Sequence, residues 1–153
     1  MLDAFQQSER LAELIERRHR YLTLMRDLGA QQSALIASGE MTQLLRVLAA
    51  KQRVMMELER VERDLDPYRP QSAEERQWRS TELRDRCRLQ IEESKSLLAE
   101  IVAQEKEGEG QLQRRRDEAA ERLAGAHFAH QAHSAYQSAP HSTVSQLDLA
   151  SES

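Results

Sequence analysis

Three histidines, His127, His130 and His133, recur at intervals of three residues, a spacing that sets imidazoles on adjacent turns of a helix and suits Zn or Ni. No acidic or cysteine ligand lies nearby in sequence to complete a site, so the run reads as a polar tail and no metal is expected. The single cysteine, Cys87, can neither close an intramolecular disulfide nor hold a structural metal by itself. It falls in register with Leu83 and Ile91 and reads as a small core hydrophobe. Catalysis would need a nucleophile with its base, carboxylates of unequal pKa, or a glycine-rich phosphate loop. Here the acids are spread like solvated helix faces and the glycines fit breaks, so neither an enzyme nor a cofactor is expected. His19 reads as a surface or boundary residue.

The elements that must carry these residues are helical. At 153 residues the chain fits one domain, and its 31% charged and only 4% aromatic residues suit long solvated helices better than an enzyme with a lined pocket. The net charge of -4 comes from nearly balanced signs, which gives no general attraction for nucleic acid. Arg17, Arg18, Arg20 and Arg114 to Arg116 are interleaved with Glu13, Glu16, Asp117, Glu118 and Glu121, the pattern of a salt-laced helix face. No stretch approaches the roughly 20 apolar residues of a membrane span, and the opening residues are unlike a signal peptide, so a cytoplasmic protein is expected.

The stretch from Ala34 to Leu65 organises the chain. Met41, Leu44, Leu45, Leu48, Met55, Leu58, Val61 and Leu65 recur at helical spacing and predict one buried face, opposite a solvated face carrying Arg46, Arg53, Glu59, Arg60 and Arg63. Met25, Met41 and Met55 read as core, and Met56 as the surface methionine. Ser38 and Gly39 interrupt the pattern, Ser38 as the expected cap of the second helix and Gly39 as the turn residue, so two helices meet as antiparallel neighbours. The first helix spans about Leu2 to Ala37, with Phe5, Leu11, Leu14, Ile15, Leu22, Met25, Leu28, Leu35 and Ile36 on one face, broken by polar turns around Arg18 and Gln32. Gly29 either weakens that helix by about 1 kcal/mol relative to alanine or admits a neighbour closely.

Over roughly Leu11 to Leu123 the chain resembles the FlgN-type flagellar export chaperones. The resemblance lies in the leucine-rich first helix and in SALIASGEMTQLLRVLAAKQRVMMELERVERDL, with its small-residue and acidic turn, the pair Leu44 and Leu45, Lys51 midway and Leu58. It implies a cytoplasmic chaperone that holds the C-terminal helices of hook-associated proteins, prevents their premature assembly and delivers them to the type III export gate. The long His/Ser/Ala tail, and Ser94 where relatives often carry a polar amide, depart from that pattern.

In DPYRP, Pro67 is expected to hold Asp66 extended and to end the second helix, and Ser72 with Glu75 reads as a capping box that starts the third helix at about Ala73. At 1.5 Å per residue the three helices should measure roughly 50, 40 and 75 Å. A third helix beginning at Ala73 and antiparallel to the second would pass the Ser38/Gly39 turn at around residue 100, leaving Ile101, Val102, Leu112 and Leu123 uncovered. Gly108 and Gly110 predict a hinge. From Gly125 the composition turns to Ala, Ser, Gln and His, which predicts a disordered tail over 125–153 after a helical domain over 1–124.

The expected fold is therefore all-α, an antiparallel three-helix coiled coil or bundle with a long third helix. Leu97, Leu98, Ile101, Val102 and Leu112 form the expected client face, and Tyr136 or the pair Leu147 and Leu149 the expected contact with the export gate. A second expectation, of another class, is a structural homodimer in which the third helices pair through Leu83, Cys87, Ile91, Leu98, Ile101 and Leu112.

Overall fold

The computed structural model describes residues 1–147. These form three α-helices, α1 (Ala4–Ser38), α2 (Met41–Leu65) and α3 (Thr81–Leu147), with short 3-10 turns at Asp66–Tyr68 and Ala73–Glu75, and no strand among the described residues. The fold is all-α, as the periodicity predicts.

Each end has a local cause. The Asp3 carboxylate accepts from the Gln6 amide at 2.8 Å while the Gln6 side chain accepts from the Asp3 amide at 2.9 Å, a reciprocal cap for α1. Gly39, at φ 76°, takes the left-handed conformation that ends α1 and donates to Leu35 and Ile36, and Glu40 closes the turn onto Leu35. Ser38 does not cap α2. It is still helical, so its hydroxyl donates backwards to the Leu35 carbonyl at 3.2 Å.

Asp66 is not extended before Pro67 but right-handed helical, at φ -51° and ψ -43°. Arg69 secures that turn through its amide on the Asp66 carbonyl and its guanidinium on the Asp66 carboxylate at 2.9 Å. Ser72 and Glu75 make only one 3-10 turn, joined backbone to backbone. The helix starts at Thr81, where the Ser80 hydroxyl accepts from the Leu83 amide at 3.1 Å. Trp78 thus precedes α3 and packs half-buried against the core.

The chain divides into two units, one ending at Gln111 and one beginning at Leu112. In the first, Arg18 pairs with Glu62 and Gln32 with Lys51, which makes α2 antiparallel to α1. Ser8 meets Gln77, His19 meets Glu93 and Arg26 meets Gln104, so α3 runs parallel to α1. One core cluster gathers Leu22, Met25, Leu28, Val47, Val54, Leu58, Leu97 and Ile101, and the other Leu11, Ala12, Leu14, Ile15, Val61, Leu65 and Cys87. Each fully buried aliphatic side chain contributes about 1.5–3 kcal/mol.

A polar layer binds the three helices together: buried Lys51 donates to Gln32 Oε1 at 2.5 Å and pairs with Glu105 of α3. Beside it, Gln104 Nε2 donates to the Arg26 carbonyl at 3.0 Å. A Cβ on Gly29 would collide with Gln104 Oε1, so Gly29 serves the close approach of α3. α3 continues as helix through Gly108 and Gly110, where a hinge is expected, and a Cβ on Gly108 would lie 3.0 Å from Gln32 Nε2. Gly108 is a packing position.

In the second unit α3 continues through Gly125, where the composition changes, as far as Leu147. Every described side chain from 120 to 137 is exposed, so helix propensity alone supports this stretch, and that is marginal in water.

Candidate helix-binding groove

The later start of α3 changes which of its residues are open. Moving the first turn from Ala73 to Thr81 shifts the helix by about two turns, and Leu97 and Ile101 then lie over the α1–α2 hairpin. Both are buried in the first core cluster, which corrects their expected place on an uncovered face. Leu98 and Val102 are exposed, and so is Leu112 at the start of the second unit. Tyr136 is exposed on α3, Leu147 is the last residue of that helix, and Leu149 lies outside the described residues.

The expected face of α2 also divides. Leu44, Val47, Lys51, Val54, Leu58, Val61 and Leu65 form the buried stripe. Met41, Leu45, Leu48 and Met55 are 51%, 66%, 36% and 40% exposed. They sit one residue, or about 100°, round the helix from that stripe, on the side of Met55, Glu59 and Glu62. Met41, Leu45, Leu48 and Met55 are therefore not core, against the single buried face the spacing predicts, and Val47, Lys51 and Val54 take their place in it.

A groove opens between α2 and α3. The backbones of α1 and α2 pack closely, whereas α3 stands further off and reaches the pair through side chains. The larger part of the groove is a cavity of about 540 Å³, with Leu22, Met25, Leu58 and Ile101 deep in it, Met55 and Leu98 at its edges, and Arg18, Glu59, Glu62 and Arg63 along its rim. A second part, of about 220 Å³, is lined by Leu11, Ile15, Leu65, Tyr68 and Ile91 and also borders Arg18. From Leu11 to Met25 the groove follows α1 for about 21 Å, four helical turns.

Its charge is organised around Glu62. Oε1 accepts from Arg18 Nε at 2.5 Å and Oε2 accepts from Arg69 at 2.5 Å. Hydrogen bonds to Asp66 and then Glu62 raise the Arg69 guanidinium above its ordinary value, so it stays cationic. The groove can therefore bury an apolar surface and fix its polar flank, while nothing in its lining resembles a nucleophile with a base.

The remaining reactive groups lie elsewhere. Cys87 is 1% exposed, and burial pushes its thiol up to about 11, helped by Glu16 and opposed by Arg86, so the thiolate is scarce at neutral pH. His127, His130 and His133 stand on the exposed part of α3, and among the described residues no three His, Cys, Asp or Glu side chains are grouped to hold a metal ion. His19 is a boundary residue bonded to Glu93 at 3.1 Å. No helix among the described residues is long and apolar enough to cross a membrane.

Compared with known proteins, the chain is matched by no family model, no curated protein and no solved structure.

Proposed function

We propose that this chain is a cytoplasmic export chaperone that holds an amphipathic helix from the C-terminal region of a flagellar hook-associated protein in the groove between α2 and α3, and delivers that client to the type III export gate. The observation that carries this reading is the groove itself: three helices enclose an apolar trough of about 540 Å³ where a fourth helix of a bundle would lie. The resemblance to FlgN-type export chaperones, carried by Leu44, Leu45, Lys51 and Leu58 after a small-residue turn, implies the class of client. A client helix of this kind self-associates through its apolar stripe, and covering the stripe keeps it monomeric until release. Met25 and Met55 in the lining adapt to stripes of different shape. Tyr136, exposed on α3, is the proposed contact with the gate.

Calorimetric titration with C-terminal fragments of hook-associated proteins tests the reading. Met55→Asp combined with Leu98→Asp places carboxylates at two edges of the groove that are already solvated, so helicity by circular dichroism stays unchanged. Client affinity falls about 100-fold. Unchanged affinity in that variant would remove the groove from the account.

A second reading rests on a different observation. Leu112 and Leu123 are exposed on α3 about three turns apart, on one face, where a second copy of the chain could pair as a structural homodimer.

A further inference from the structure

Arg18 borders both cavities of the groove. It occupies the gap on α1 between Ile15 and Leu22, the boundary between the two core clusters. Only its Nε is engaged, on Glu62 Oε1, and its two terminal nitrogens donate to no described residue. Glu62 has little left to offer them, because its other oxygen already accepts from Arg69. Along the two cavities stand three guanidinium groups, of Arg18, Arg63 and Arg69, against two carboxylates, of Glu59 and Glu62. Arg69 is also held by the Asp66 carboxylate at 2.9 Å, so the charges along the groove balance, and what marks its middle is the pair of Arg18 terminal nitrogens without a described acceptor.

The core behind Arg18 is polar at the same level. On α3, Ser94 lies one turn from Ile91 and one turn from Leu98, which line the two cavities. Ser94 is 1% exposed and its hydroxyl has no partner. The groove is therefore two apolar cavities separated by a polar waist, and a helix with an unbroken apolar stripe would have to cover that waist. Covering a guanidinium whose donors have no acceptor costs free energy that an apolar contact does not return. A carboxylate at that point would accept both terminal nitrogens in the paired geometry that arginine favours.

We propose that the groove selects a helix carrying a carboxylate midway along its apolar stripe, between two apolar clusters that fill the cavities on either side of Arg18. Leu11 and Met25 each lie seven residues from Arg18, about 10 Å, so the clusters fall within two turns of the acid in each direction. This rests on the reading of the groove as a helix-binding site.

Synthetic helices of about 18 residues, identical except for Glu or Leu at the centre of the stripe, separate the two ideas when titrated into the full chain. The Glu peptide is expected to bind about tenfold tighter than the Leu peptide. Arg18→Met should erase that difference, and in the unmodified chain high salt should narrow it, a readout that does not depend on how the variant folds. If both peptides bind, both are lost in the Met55→Asp/Leu98→Asp variant, and the Leu peptide binds as tightly as the Glu peptide, the carboxylate selectivity is wrong and the groove stands. If neither peptide binds, the groove fails as a helix site and the selectivity falls with it.

Discussion

Lys51→Glu is expected to destabilise the three-helix unit by about 3 kcal/mol, a large part of the stability of a domain of this size. Lys51 occupies a position of the buried α2 stripe, between Val47 and Val54, and its ammonium bonds Gln32 of α1 and Glu105 of α3. A carboxylate there would face Glu105 and the acceptor oxygen of Gln32 with no donor of its own. Lys51→Met should cost less, because it removes the charge together with its desolvation and keeps much of the volume. Apolar contacts tolerate sliding, but Lys51 meets an acceptor from each neighbouring helix in only one alignment. Displacing α3 by a turn would take Glu105 away. Urea unfolding followed by circular dichroism measures both variants; a Lys51→Glu midpoint equal to that of the unmodified chain would show that the layer contributes nothing to stability.

Leu14→Ala should cost about 3 kcal/mol for a different reason. Leu14 is 1% exposed in the second core cluster, between Leu11 and Ile15 of its own helix and across from Val61, Leu65 and Cys87. Truncation removes three carbons' worth of buried surface and leaves a void that straight helices, fixed at both ends of the cluster, cannot close. The same unfolding experiment checks it, with the slope against urea unchanged because the surface exposed on unfolding is nearly the same. A loss below about 1 kcal/mol would mean that the helices relax inward.

The helices of the hairpin were legible because their cause is local. Leu11, Leu14, Ile15, Leu22, Met25, Leu28 and Ile36 are buried on α1 as their period requires, and Gly39 makes the turn. Phe5, on the same predicted face, is 38% exposed beneath the Arg79 guanidinium at 5.2 Å, a contact that periodicity does not encode. The start of α3 was not legible, because Ser72 and Ser80 both offer a cap and only packing chooses between them. Ser8 bonding the Gln77 carbonyl at 2.6 Å and Trp78 against the second cluster hold the chain out of the helix until Ser80. That difference moved the register of α3 and with it the site: Leu97 and Ile101 went to the core, while Leu98 and Val102 stayed open.

On α2 the signal for the groove was present as a surplus. One helix carries more apolar residues than one stripe can hold, and Met55 with Met56 marks where the surplus turns outward. Lys51 shows the converse limit, since a lysine reads as solvated unless its partners on two other helices are known.

The most direct test of helix capture is the mass of the chain by light scattering after size exclusion, alone and mixed with C-terminal fragments of hook-associated proteins. The account predicts a monomer that forms a complex of one chain with one fragment. A stable dimer that elutes unchanged with every fragment would contradict it.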